Sequence, residues 1–104
     1  MSDRPRCRIA DGLAWVVEDV AEDPVGYVAP LPDGRPVVLV GPAARVWSAV
    51  AAARSADGWA TRADVIALLV EAYAVDAAVI GPDVEGFLAD LVSARLLVTD
   101  PAPG

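Results

Sequence analysis

Short apolar runs separated by turn-forming residues dominate the first 41 residues and predict β-strands. The runs cover residues 13–17, 25–29 and 37–40, and each is rich in β-branched or aromatic residues, which favour strands. Asp33-Gly34 between the last two runs is typical of a hairpin, because Gly tolerates the positive φ that a tight turn requires. The first part of the chain therefore predicts a small antiparallel sheet.

From residue 42 onward, apolar residues recur every three or four positions, which is the period of an α-helix. The pattern predicts one helix over residues 42–53, with Pro42 in the first turn, where its missing N–H costs nothing. A second helix is predicted from an N-cap at Thr61 to about Tyr73, with an acid, Asp64, three residues after the cap. The apolar face of this second helix is predicted to comprise Val65, Leu68, Leu69 and Ala72.

A third helix is predicted to begin at Gly81 and Pro82. Asp83 and Glu85 would then lie in its first turn and Arg95 in its last turn, where each charge matches the helix dipole. An apolar face follows from residues spaced i, i+3, i+4 and i+7, namely Val84, Phe87, Leu88 and Leu91.

Three strands followed by three helices predict an α+β fold with winged-helix-like architecture, in which a three-stranded antiparallel sheet is followed by a three-helix cluster. Residues 1–12 are predicted to form a flexible N-terminal tail, residues 13–98 the folded domain, and residues 99–104 a disordered C-terminal tail.

Composition excludes several kinds of active site. The chain contains no His and one Cys, so it cannot supply a Ser-His-Asp triad, a His-based metal site or a thiolate zinc site. We expect no metal, no cofactor and no enzymatic activity. The chain shows neither a signal peptide nor an apolar run long enough to span a membrane, which predicts a cytoplasmic protein.

Individual reactive or aromatic residues add little by themselves. Cys7 lies among arginines in the predicted tail and is interpreted as an incidental free thiol. The carboxylates of the second and third helices are interpreted as helix-terminus and solvated groups rather than catalytic acids. Trp47 is predicted to lie in the core, whereas Trp59 fits either a core or a binding surface.

Charge separates two possible binding functions. The formal net charge is −7, and the third helix carries Asp83, Glu85 and Asp90 but no basic residue over 82–92, which disfavours contact with DNA phosphates. Peptide binding is favoured instead, because the third strand could be an edge that accepts another strand. A regulator of winged-helix type that binds DNA or a protein remains the alternative.

The second part of the chain resembles a known family. Residues 40–47, Val-Gly-Pro-Ala-Ala-Arg-Val-Trp, resemble the Leu-Asn-x-x-Ala-x-x-Ile/Trp segment of PqqD-like proteins, also called RiPP recognition elements. Residues 57–65 resemble their Asp-Gly-x-x-Thr-x-x-Glu-Ile segment. Residues 73–76 and 83–91 resemble their Tyr-x-Val … Asp-Val-x-x-Phe-Leu-x-x-Leu segment, and residues 96–97 resemble the closing Gly-Leu-Leu.

The resemblance covers residues 36–98, with departures at Val40 and Gly41, where Leu-Asn is usual, and at Arg95, where Gly is common. It implies that the chain binds the leader of a ribosomally synthesised precursor peptide. It also implies a modifying enzyme as partner: a leader peptidase, a cyclase or a radical enzyme. Trp47 favours the lasso peptide type. Neither nucleic acid nor a membrane is an expected partner.

The resemblance also implies where the leader binds. It would add as an antiparallel strand to the third strand and lie against the third helix. By position, the edge would consist of Val37, Val38, Leu39 and Val40, and the helical wall would be drawn from Asp83, Val84, Phe87, Leu88, Asp90 and Leu91. Some of these apolar helical residues must face the core. Asp83 or Asp90 would contact basic leader residues.

Overall fold

Two small antiparallel sheets and three helices make up the computed structural model, which describes residues 5–20, 23–31 and 34–100. This architecture confirms the predicted α+β, winged-helix-like fold, although the sequence predicted only one of the two sheets. The elements in chain order are β1 (Arg6–Ile9), β2 (Leu13–Val20), β3 (Asp23–Pro30), β4 (Val37–Val40), α1 (Pro42–Ala53), β5 (Trp59–Thr61), α2 (Arg62–Tyr73), α3 (Ala77–Ser93) and β6 (Leu97–Asp100).

The predicted sheet has the strand order β2-β3-β4, so β4 lies at its edge. The register places Tyr27 of β3 between Val16 of β2 and Val38 of β4. Gly34 returns the chain towards β4, and its N–H donates to the Pro30 carbonyl at 2.9 Å. A Cβ atom at Gly34 would lie 2.5 Å from Cβ of Pro30, so this close approach requires glycine. Asp33 of the predicted hairpin lies outside the described residues.

The second sheet, of order β5-β1-β6, corrects the prediction of flexible tails. Residues 6–9, assigned to a flexible N-terminal tail, form β1 and pair with both β5 and β6. Cys7 in β1 is buried in the core and not in a mobile segment. Thr99 and Asp100, assigned to the C-terminal tail, belong to β6. The prediction failed because β1 is short and its pairing partners come from distant parts of the chain.

Helix α1 has the bounds that the sequence predicted and lies at the centre of the molecule. It packs against β3 and β4 on one side and against α2, α3, β1 and β5 elsewhere. Its buried residues are Ala44, Val46, Trp47, Ala49 and Val50. Trp47 is fully buried, which confirms its predicted core position, and its ring meets Trp15 edge-to-face with centroids 5.8 Å apart.

Helix α2 begins as predicted. The Thr61 hydroxyl accepts a hydrogen bond from the Asp64 backbone N–H at 3.1 Å, as expected for an N-cap. Of its predicted apolar face, Val65 and Leu69 are buried, whereas Leu68 and Ala72 are exposed. The buried stripe of α2 is therefore narrower than the periodicity indicated.

Helix α3 begins earlier than predicted, at Ala77, and its N-cap is Asp76. Pro82 lies inside the helix rather than in its first turn. It has no N–H to donate to the Ala78 carbonyl, so one hydrogen bond of the regular helix pattern is missing there. Asp83 and Glu85 consequently lie in the body of the helix, so the helix-dipole interpretation of these two acids is wrong. Arg95 lies beyond the helix end and not in its last turn.

None of the helices in the described part of the chain is long and apolar enough to cross a membrane.

Replacing Trp47 by Ala should lower the free energy of unfolding by about 3–5 kcal/mol, because the substitution leaves a large cavity at the centre of the core. Denaturant unfolding followed by circular dichroism measures this change. Tyr73→Ala is the control, since Tyr73 is an exposed aromatic residue. Equal destabilisation by the two substitutions would contradict the central role of Trp47.

Candidate functional site

Strand β4 is an edge strand, and every second residue of it directs its backbone N–H and C=O groups away from β3. The Gly41 N–H donates to the Pro24 carbonyl at 3.2 Å, so Gly41 and Pro24 are opposed as a hydrogen-bonded pair. Hydrogen-bonded and non-hydrogen-bonded pairs alternate along an antiparallel ladder. Leu39 and Val37 therefore direct their backbone groups towards β3, whereas Val38 and Val40 direct theirs away from the sheet.

The side chains of β4 also alternate. Leu39 points into the core and is 7% exposed, whereas Val38 and Val40 are 55% and 61% exposed on the outer face of the sheet. Gly26 of β3 lies opposite Leu39, and a Cβ there would be 3.4 Å from Cβ of Leu39. A side chain at Gly26 would therefore touch Leu39 at ordinary van der Waals distance. Val37 is partly exposed beside it.

The residues predicted for the helical wall divide into two groups. Val84, Leu88 and Leu91 are buried in the hydrophobic core, so they are not available to a ligand on the surface. They are therefore the apolar residues of this set that face the core, as expected from the sequence for some of its members. Phe87 is half-buried at the border of the core, and Asp83 and Asp90 are exposed. At 100° per residue, these three residues lie on one flank of α3, which we call the Phe87 flank.

The opposite flank of α3 faces the second sheet. Arg62 Nη1 lies 2.8 Å from Glu85 Oε1, and Arg6 Nη2 lies 2.8 Å from Asp100 Oδ2. A cavity of about 390 Å³ opens between this flank and strands β1 and β6. Leu88 is the one residue of the predicted site among its lining residues, so this cavity is not the predicted peptide site.

Helix α1 lies between the two parts of the predicted peptide site, the edge strand β4 and the helical wall on α3. It packs against β4 and against α3, while β4 and α3 make at most slight contact within the described residues. Leu39 and the buried residues of α3 belong to the same core cluster. Strand β4 and helix α3 therefore share one hydrophobic core but do not pack directly against each other.

The structure also shows the local environment of two other candidate residues, Cys7 and Trp59. Burial raises the pKa of the Cys7 thiol, although the positive charge of Arg62 opposes this effect, so the thiolate is disfavoured. Trp59 is half-buried beneath two guanidinium groups, those of Arg6 at 4.4 Å and Arg8 at 5.3 Å from the ring centroid. Sequence reasoning missed these contacts because they depend on the unforeseen strand β1.

The described residues contain no group of three or more Asp, Glu or Cys side chains arranged to hold a metal ion.

A comparison with family models matches residues 27–97 to PqqD, described as coenzyme PQQ synthesis protein D. The chain belongs to the PqqD family. The matched segment contains β4, α3 and all the predicted site residues, whereas β1 and β2 precede it. The sequence resemblance could not indicate the second sheet, because its central strand β1 lies outside the matched residues.

A solved structure, that of TbiB1 in complex with the TbiA(beta) leader peptide, resembles this PqqD-family chain. The TM-score is 0.61 at 21% sequence identity, and the alignment covers 86% of this chain and 93% of that chain. At this identity, the similarity establishes a common fold. No curated protein matches the chain.

One departure from the PqqD-family pattern has a visible structural consequence. Arg95 adopts a φ of 64°, in the left-handed region that a non-Gly residue rarely occupies. Glycine, which the family resemblance gives as usual at this position, would adopt such a conformation without steric cost. The Leu96 N–H donates to the Leu91 carbonyl at 3.0 Å, which holds the turn into β6.

Proposed function

We propose that this PqqD-family chain binds the leader of a ribosomally synthesised precursor peptide by adding it as an antiparallel strand to β4, beside the Phe87 flank of α3. The observation that carries the proposal is the open edge of β4, at which Val38 and Val40 direct their backbone groups away from the sheet. Strand addition uses such groups as hydrogen-bonding partners for an extended peptide.

The backbone groups at the edge would provide much of the affinity. Each residue that points outward offers one N–H donor and one C=O acceptor, so Val38 and Val40 together could form four hydrogen bonds with an added strand. Since α1 packs against β4, the backbone of this strand is already ordered, which lowers the entropic cost of binding. Apolar leader residues could pack beside Phe87 and Val37, which are partly exposed.

Charge favours a leader with basic residues. Asp83 and Asp90 are exposed on the Phe87 flank and form no ion pair with any other described residue. The other acid of this helix, Glu85, is paired with Arg62 on the opposite flank. With a net charge of −7 on the chain, a basic leader would be attracted at long range and contacted locally.

The leader-bound state of TbiB1 supports the choice of ligand, because the two chains have the same fold. The resemblance to RiPP recognition elements supports a non-catalytic role in which the bound precursor is delivered to a modifying enzyme. That enzyme would be a leader peptidase, a cyclase or a radical enzyme, and the lasso peptide type is favoured.

Fluorescence polarisation tests the proposed function directly. The probes are fluorescein-labelled N-terminal segments of short open reading frames beside the gene, with scrambled peptides and a DNA duplex as controls. We expect saturable binding of one leader that the scrambled sequence does not reproduce. Binding of DNA at moderate salt without binding of any leader would overturn the proposal and favour the regulator.

A proline at Val38 should abolish an outward N–H without removing a bond to β3, because the Val38 backbone faces away from the sheet. We expect Val38→Pro to weaken leader binding at least about tenfold while the folded state persists. Val38→Ala is the matched control, since it shortens the side chain but retains the N–H. If the folded proline variant binds as tightly as the alanine variant, β4 is not the docking edge.

Reversing the charge of Asp90 should weaken binding of a basic leader about threefold to tenfold at low salt, and less at high salt, where exposed charges are screened. Polarisation titrations of Asp90→Arg at two ionic strengths measure this difference. Glu71→Arg makes the same change in net charge at an exposed position of α2. An equal loss in both variants would show that Asp90 acts only through the net charge.

A further inference from the structure

The outer face of the first sheet carries large apolar side chains that no described element covers. Val16 is 53% exposed and Tyr27 is 42% exposed, and they form one cross-strand row with Val38. A second row runs from Glu18 through Val25 to Val40. We call these side chains the outer rows. An exposed apolar surface of this kind on a small protein indicates a contact surface.

The outer rows end at the open edge of the sheet, on the residues whose backbone groups are free. Val38 and Val40 combine both properties: their N–H and C=O groups point away from β3, and their side chains point to the outer face. In an added antiparallel strand, the residue that exchanges hydrogen bonds with Val38 has its side chain on the same face, with the two Cα atoms about 5.5 Å apart. The same holds for Val40.

We propose that Val38 and Val40, the residues at the open-edge end of the outer rows, recognise the leader through their side chains, so that recognition takes place on both faces of the added strand. This inference rests on the proposed function. Two leader residues, separated by one residue, would pair with Val38 and Val40 and extend the outer rows by one strand. Apolar β-branched or aromatic side chains fit these two positions, because such cross-strand pairs are the stabilising ones. The leader residue between them would point to the inner side, where Leu39 lies.

The arrangement of charge supports this choice of side chains. The acidic residue of the outer rows, Glu18, lies on β2, at the far side of the sheet from β4. Beside the open edge, the outer face offers Val38, Val40 and, behind them, Tyr27 and Val25. Basic leader residues would therefore contact Asp83 and Asp90 on the Phe87 flank. Apolar leader residues would contact Val38 and Val40 on the outer face.

A serine scan of the leader against two protein variants tests the inference. The probe is the labelled leader segment that binds the wild-type chain, with each position replaced by Ser in turn. The variant V38T/V40T keeps β-branched side chains and the backbone N–H groups but adds hydroxyls to the outer face. Val16→Thr is the matched control, because Val16 has a similar exposure in the same row but lies on β2, away from the open edge.

We expect two leader positions, two residues apart, at which Ser weakens wild-type binding about fivefold each. In V38T/V40T the unmodified leader should bind about fivefold more weakly, and Ser at the same two positions should then have little further effect. Val16→Thr should give the wild-type pattern. Thermal unfolding of each variant verifies that the fold is retained.

An identical serine-scan pattern in the wild type and in V38T/V40T would overturn the inference, even though leader binding itself stands. Failure of the unmodified leader to bind the wild type would instead overturn the proposed function, and the inference with it. Sedimentation velocity adds one more outcome. A leader-free dimer that V38T/V40T dissociates would show that a second copy covers the outer rows, which also overturns the inference.

Discussion

The burial of α1 is the constraint on which the rest of the structure depends. Five of its residues are buried, Trp47 completely, and the helix packs against both sheets and both of the other helices. The chain passes from β4 into α1 through Gly41, which has a φ of 57° and therefore suits glycine. Any rotation of α1 would move β4 and α3 relative to each other, so the geometry of the candidate site follows from the packing around Trp47.

The two flanks of α3 differ in how their charges are satisfied. On the flank that faces the second sheet, Glu85 pairs with Arg62 close to a cavity, and Arg6 of β1 pairs with Asp100 of β6 on the other side of that cavity's lining. On the Phe87 flank, Asp83 and Asp90 pair with no described cation. A surface salt bridge contributes little to stability, so the difference concerns which charges are available to a ligand more than how tightly the helix is held. The proposed peptide site lies on the available side.

An uncovered edge such as β4 is a risk to a soluble protein, since it can pair with the edge of another molecule. The strand Val37–Val40 contains no charged residue that would discourage such pairing. The net charge of −7 opposes self-association at long range, because like-charged molecules repel each other. The same negative charge favours oppositely charged partners at this edge.

Much of the fold was determined by local sequence patterns. The bounds of α1, the N-cap at Thr61 and strand β4 follow from periodicity, capping and β-branched residues, which act within a few positions along the chain. The candidate edge could be found in this way, and its proposed role in peptide binding came from the family resemblance. The earlier start of α3 was missed because Pro82 was interpreted as a helix start, whereas a helix capped by Asp76 accommodates it.

Tertiary structure decided what the patterns could not. Strand β1 exists because β5 and β6, from distant parts of the chain, provide its hydrogen bonds, and nothing within the segment Arg6–Ile9 encodes those partners. The sorting of α3 into core residues such as Leu88 and exposed residues such as Asp90 depends on which side α1 occupies. The direction of each free N–H on β4 depends on its register with β3. Sequence periodicity shows that a helix has an apolar face, but the neighbouring helices and strands decide which of its residues are buried.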